Sequence, residues 1–410
     1  MKQLHSGGES KQAVSKITLE EAGNQSYEAY VKYYTVDCLS KMLFRSKSRF
    51  LVIVTIFTIF TVLLMITLQF SSSKAMKSLG GELHCDPEVM KPSPEIPKNV
   101  NKLRPADIKV IAAMGDSITI ALRSKNFEGQ SSAKVYPGNS YIIGGDGTLR
   151  DQITVGKVLR EFNQNLVGLS HGIDYGNNSG FNVAVGGMTS KDLPRQAAVL
   201  IKRMEQAGVS LKEDWKIVSI FIGTNDLGNL KCRRNQDVPI GREEYKVNLI
   251  KAISVLRTSL KRTLVSIIPM WNSQILIEAQ SIIFEGKRRE CGEHSVEKRD
   301  ALCSEYRKVA YEIQDERMFD SEDFTVVAQG FMDNVVDAFR NRDGAYDTSF
   351  YADDTFHLSK YGNAVIGKFL WNSMLEPVGS KSVHGNLGDD SIPLKCPTMD
   401  RPYIQTLNNK

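Results

Sequence analysis

Histidine is scarce in this chain of 410 residues, with six in all, and cysteine is as rare at six. A dominant charge is missing too: 52 basic against 47 acidic residues leave a formal +5, with no long block of either sign. That balance argues against a nucleic-acid partner. There is no internal repeat, which excludes a solenoid, and no low-complexity tract. Long apolar runs are absent, with one exception. What remains, 41% hydrophobic and 24% charged residues, is an ordinary globular composition with ample material for a core.

The exception is FLVIVTIFTIFTVLLMITLQF, residues 50–70, whose only polar members are threonines and Gln69. Its 21 residues suit the roughly 20 that an α-helix needs to cross a bilayer. A core helix of that length would carry a polar face, and this run has none. Lys41, Arg45, Lys47 and Arg49 precede it, against Lys74 and Lys77 after it. The positive-inside bias then puts residues 1–49 in the cytosol and 71–410 outside, as in a single-pass type II membrane protein with an uncleaved signal anchor. A cleaved signal peptide would have a shorter apolar core and only a short basic region before it.

On that topology Cys38 is cytosolic, while Cys85, Cys232, Cys291, Cys303 and Cys396 face a compartment where disulfides persist. Five is odd, so at least one stays unpaired or pairs between chains. A Cys291–Cys303 bridge is expected because it closes a short polar loop. Asn177-Asn178-Ser179 is the one outer N-glycosylation sequon.

Residues 1–49 read as a polar, weakly ordered segment. Five of the 13 prolines fall between Pro87 and Pro105, so 71–105 reads as a semi-extended stalk. A globular domain follows over 106–377, then an irregular tail, 378–410, that Cys396 could tie down. Within the domain, strand candidates at 107–114, 216–222 and 263–270 alternate with helical patterns at 190–207, 243–261, 296–316 and 360–375. Such alternation argues for an α/β fold with a parallel sheet between helices.

Ligands collect at the carboxyl ends of strands in such sheets. Distinctive turns fall there: MGDS (114–117), NVAVGG (182–187) and IGTND (222–226); YADDTFHLSKYG (351–362) precedes the last helix. Gly115-Asp116-Ser117 allows two readings, a plain turn with a helix cap, or a nucleophilic serine on a tight strand-to-helix turn. A serine nucleophile requires an adjacent base, a carboxylate to orient that base, and N–H donors for the oxyanion. Elimination helps with the base. His5 is cytosolic, His84 is in the stalk, His384 in the tail, and His171 and His294 sit in polar loops. His357 alone stands at a helix entrance with a carboxylate, Asp354, three residues earlier. Gly144-Gly145-Asp146-Gly147 lacks the Lys-Ser/Thr of a phosphate loop and reads as a turn or pocket wall.

Four blocks in order carry a resemblance: Gly115-Asp116-Ser117, Gly187 closing an Asn-x-Ala-x-x-Gly stretch, Gly223-Thr224-Asn225-Asp226, and Asp354-Thr355-Phe356-His357. They resemble the GDSL/SGNH hydrolases. SYIIGGDGT (140–148), REFNQNL (160–166), DSEDFTVVAQGF (320–331), LWNSMLEPVGSK (370–381) and CPT (396–398) are similar to the phospholipase B branch of that family, so the likeness spans about residues 85–405. The resemblance implies a three-layer αβα sandwich that needs no metal or organic cofactor. It further implies Ser117 as nucleophile, its own N–H, the Gly187 N–H and the Asn225 amide as oxyanion donors, and His357 oriented by Asp354 as base and then acid. Asp116 reads as structural, and Asp226 is ambiguous between structure and chemistry. The implied reaction releases fatty acids from phospholipids and lysophospholipids through an acyl-serine intermediate. A carboxylesterase or carbohydrate deacetylase on the same triad, and an inactive surface receptor, are the alternatives. Two departures stand out: one catalytic unit with an N-terminal anchor, where membrane-associated members have tandem units and a C-terminal anchor, and a lone Cys232 in NLKCRRN where the family has a cysteine pair.

Overall fold

The computed structural model describes residues 47–70, 73–228, 238–275, 296–335, 340, 343–345 and 347–409. The chain divides into two compact units, Met1–Ser73 and Lys74–Lys410.

The first unit contributes helix α1, Lys47–Phe70, of 24 residues. Its Thr58 and Thr61 hydroxyls donate back to main-chain carbonyls one turn earlier, at 2.9 Å, which hides their polarity. Side chains are described only over 53–64, where Ile53, Phe57, Phe60 and Leu64 are exposed. Among the described residues, no helix is long and apolar enough to cross a membrane.

The second unit is built on four parallel strands in the order β1-β2-β3-β4: Val110–Gly115, Lys216–Phe221, Thr263–Ile267 and Phe324–Ala328. Every strand residue is buried, so both faces of the sheet are covered, as apolar runs such as VIAAM and FTVVA require. Consecutive strands are neighbours, and among the described residues a long helix lies in each connection: α3 (Leu193–Gln206), which follows the shorter α2 (Val155–Phe162) in the first, α4 (Arg242–Ser259) in the second and α5 (Val296–Asp315) in the third. Crossovers of parallel strands are right-handed, so three steps in one direction put these long helices on one face. In agreement, α3 packs on α4 and α4 on α5. The other helices, α2 (Val155–Phe162) and α6 (Lys360–Met374), pack on each other and form the second layer. Beyond β1, Val167 and Asn182 extend the sheet by single parallel bridges to Val110 and Ala113.

Several expectations change. Strand β4 and helix α2 are absent from the sequence-based elements, because five and eight residues are too short to show a clear period. Residues 116–121 do not open a helix: one turn forms, with Ile120 N–H donating to Asp116 O, and ends where Ala121 adopts φ +57°. The proline-containing stretch does not stand off as a stalk. Val89, Val100 and Leu103 are buried, the Trp215 indole N–H donates to Pro97 O at 2.8 Å, and Gly81 N–H donates to Leu149 O. The tail also packs, burying Ile404 and donating its N–H to Leu103 O. A disulfide, Cys85–Cys396, joins strap to tail. The expected Cys291–Cys303 bridge fails: Cys303 is a free thiol buried on α5, and burial pushes it up to about 12. Cys38, Cys232, Cys291 and His294 lie outside the described residues.

Candidate active site

The carboxyl end of β1 delivers Gly115-Asp116-Ser117. Gly115 has no alternative: a Cβ there would come within 2.3 Å of Phe221 O on β2. Gln196 of α3 grips the same residue from both sides, accepting from Gly115 N–H and donating to Gly115 O, each at 2.8 Å. The serine that follows is 5% exposed. Its carbonyl accepts from Leu122 N–H at 2.9 Å, closing the turn around it.

Asp116 points into the protein. Its Oδ1 accepts from Ile118 N–H at 2.9 Å, and its Oδ2 faces the Asn225 amide at 3.5 Å. Burial pushes this carboxyl up to about 7 against the pull of the Ile118 N–H, and the nearby Asp226 adds to the rise.

The end of β2 supplies Gly223-Thr224-Asn225-Asp226, with Gly223 at φ +134° and Thr224 buried. The Asn225 amide donates to Met188 O at 2.8 Å, and its other N–H is directed at Asp116. Asp226 accepts from Ser190 N–H with both oxygens at 3.0 Å. Burial lifts Asp226 to about 6 despite the Ser190 hydrogen bonds. It staples the β2 turn to the 186–190 loop. In that loop Gly187 has φ +80°, while a Cβ would touch nothing within 4 Å, so the backbone angle and not crowding calls for glycine. Gly186 lies against Ser117, 3.7 Å from a would-be Cβ to the serine Cβ, and donates its N–H to the Tyr175 hydroxyl at 3.1 Å.

The fourth block forms a loop before α6. Asp354 Oδ2 meets His357 Nδ1 at 2.6 Å, and Asp354 Oδ1 accepts from the N–H groups of Phe356 and His357 at 3.1 and 3.0 Å. Thr355 between them has φ +56°. Burial raises the Asp354 carboxyl, but the hydrogen bond and charge of His357 outweigh it, holding the group down to about 2. With Nδ1 engaged by the carboxylate, Nε2 is the nitrogen free to accept a proton. Ser359 caps α6, accepting from Gly362 N–H at 3.0 Å, and so fixes the loop end next to His357.

The structure thus gathers Gly115, Asp116, Ser117, Gly187, Gly223, Asn225 and Asp226 into one contact group, and Asp354 with His357 into a second. Among the described residues, no hydrogen bond runs directly from the Ser117 hydroxyl to the His357 ring; in ligand-free sites such bonds are often long. The groups are joined by Arg123, six residues after Ser117, whose Nε lies 3.1 Å from Asp354 Oδ2. Arg123, Gln196 and Tyr175 carry no motif, and the sequence offered no signal for them. Asn177 is exposed at the start of a 3₁₀ turn whose Ser179 is buried. His171 pairs with Asp146 at 3.2 Å, so the Gly144–Gly147 segment is held as a turn.

Known proteins include relatives of this chain. The chain is 34% identical over 348 residues to the human protein named Phospholipase B1, membrane-associated, and 33% identical over 355 residues to its mouse counterpart. These alignments cover 82% and 83% of this chain but 23% of each relative, so the chain spans about a quarter of their length. A solved structure from Parabacteroides merdae, described as a GDSL-like lipase, overlaps 67% of this chain and 98% of its own at 14% identity, with a TM-score of 0.38. The sequence profile of the GDSL-like Lipase/Acylhydrolase family matches residues 111–370, which contain every one of the four blocks. The chain belongs to the GDSL-like lipase/acylhydrolase family.

Proposed function

We propose that the protein is a serine ester hydrolase that releases fatty acids from phospholipids and lysophospholipids. The observation that carries the reading is the Asp354–His357 pair at 2.6 Å, set in the same family domain as a serine on a crowded glycine turn. The relatives' name extends it to phospholipids. In the reaction, His357 Nε2 takes the Ser117 hydroxyl proton as Oγ attacks the ester carbonyl carbon. The oxyanion receives hydrogen bonds from the N–H groups of Ser117 and Gly187 and from the Asn225 amide, which turns toward it from its long 3.5 Å contact with Asp116. The imidazolium returns its proton to the departing glycerol oxygen, leaving an acyl-serine. Water, deprotonated by His357, then attacks that ester; the fatty acid leaves and Ser117 regains its proton. Asp354 keeps its charge throughout and holds the ring tautomer.

The finer reading is a type II anchor. It rests on the sequence, in which residues 50–70 carry no charge and match the roughly 20 residues a membrane span needs. The domain then faces the outside or a lumen, where the Cys85–Cys396 disulfide is stable and exposed Asn177 is open to glycosylation.

The test is fatty-acid release by residues 74–410, expressed as a secreted domain, from phosphatidylcholine, lysophosphatidylcholine and a short acetyl ester, beside Ser117→Ala. Release from both lipids, abolished in the variant, is expected. Turnover of the acetyl ester alone would replace the lipid assignment by a small-ester one, and turnover surviving in Ser117→Ala would remove the nucleophile. In parallel, the full chain should stay in the membrane pellet through an alkaline carbonate wash; recovery in the wash would refute the anchor.

A further inference from the structure

Arg123 is not part of any of the four blocks, yet it occupies an unusual position. Its backbone has φ +67°, a conformation side chains disfavour, two residues after Ala121 at φ +57°. The main chain holds it there: Leu122 N–H donates to Ser117 O at 2.9 Å, and Arg123 N–H donates to Lys134 O at 3.0 Å. The residue is therefore tied through the backbone to the nucleophile turn. Its side chain reaches the other half of the site. Nε lies 3.1 Å from Asp354 Oδ2, the same oxygen that faces His357 Nδ1, while a terminal nitrogen donates to Asp353 Oδ1 at 3.1 Å.

We infer that Arg123 is a positioning residue that locks the Asp354–His357 pair in register with Ser117. This rests on the triad reading above. Asp354 is held on both oxygens, by two main-chain N–H groups on Oδ1 and by His357 and Arg123 on Oδ2. A planar guanidinium with fixed donor directions sets the tilt of the carboxylate, and the carboxylate sets the tilt of the imidazole. Asp353 completes the clamp: Lys125 pairs with it at 3.1 Å and the Ser132 hydroxyl donates to it. These partly exposed ion pairs contribute little to stability, so their consequence is geometric.

The competing use of the guanidinium is binding an anion in the neighbouring cavity of about 340 Å³, which Lys77, Arg123, Lys125 and Lys360 line. Three of those cations already face carboxylates: Lys77 pairs with Asp347 at 2.8 Å, and Lys125 and Arg123 both pair with Asp353. Arg123 is committed to the loop.

The experiment uses the full chain in detergent and a soluble chromogenic ester. Arg123→Gly suits the backbone angle and leaves a guanidinium-shaped gap. It is expected to lower kcat by about 10- to 100-fold with KM little changed, since misplacement of a reacting group by about 1 Å costs on that order. Added guanidinium at low millimolar concentration should restore part of kcat, whereas ammonium at equal ionic strength should not. Arg123→Lys, which keeps the charge and loses the fork, should fall between. Wild-type kcat in Arg123→Gly overturns the inference, and so does a loss that guanidinium fails to relieve. Failure of the triad reading looks different: the unsubstituted enzyme would be inert, or Ser117→Ala would be as active as the parent.

Discussion

Asp116 sits beside Ser117, the proposed nucleophile, and its burial sets how its carboxyl titrates. Burial raises it to about 7, and Asp226 is raised to about 6 in the same way. An unfolded carboxyl has lost its proton above about pH 4, so between about pH 4 and 7 the folded state binds more protons than the unfolded one. Stability therefore falls as pH rises through that window. Asp116→Asn can still accept from Ile118 N–H but no longer titrates. Its melting temperature should fall less than that of the parent between about pH 5 and 7.5, as followed by scanning calorimetry. Parallel pH profiles for the two proteins would mean that Asp116 is ionised throughout. At this scale the motif residues were legible because glycine turns and an Asp-x-x-His spacing are local. Gln196 and Arg123 were not, since each meets its partner across the fold: Gln196 is 81 positions from Gly115, while Tyr175 meets Gly186 across a separation of 11 that no sequence period marks.

The element that matters most to the site is the loop between Tyr351 and α6. It is fixed at its end by Ser359, whose hydroxyl oxygen accepts from Gly362 N–H at 3.0 Å and whose O–H donates to Ser349 O at 2.5 Å. Ser359 is 5% exposed, so water does not replace these bonds. Ser359→Ala should cost roughly 1–2 kcal/mol of stability, the usual loss for a helix cap. Because His357 is two residues away, kcat should drop several-fold, while Ser359→Thr keeps both. Urea unfolding and steady-state kinetics on the pair would check this; unchanged kcat in the alanine variant would uncouple the cap from the catalytic loop. Helices α3 to α6 were readable from apolar periodicity. The first turn after β1 was read as a helix start, and it fails at Ala121 because φ +57° cannot continue one.

At the scale of the molecule, the Cys85–Cys396 bond spans 311 residues and ties the 74–105 strap to the tail. A cross-link over so long a loop mainly restricts the unfolded chain. Replacing both cysteines by serine should cost about 2–5 kcal/mol, read as a lower urea midpoint, with kcat at room temperature preserved. An unchanged midpoint would show that packing of Val89, Val100 and Ile404 alone holds strap and tail. The sequence reading separated both segments from the domain, since prolines and polar residues describe the local chain and not what it lies against.

What the residues determined by themselves was local and periodic. Strand candidates alternating with helical patterns implied a parallel sheet between helices, and four short blocks in order implied a family and its candidate chemistry. A 21-residue uncharged run is the basis of the proposed anchor. What only the tertiary structure decided was long-range. It paired Cys85 with Cys396 and not Cys291 with Cys303, folded strap and tail onto the domain, and brought Arg123 to Asp354. The reason is physical: a turn or a helix face is set by neighbours within a few positions, whereas a disulfide or an ion pair forms between groups whose separation the packed core alone fixes.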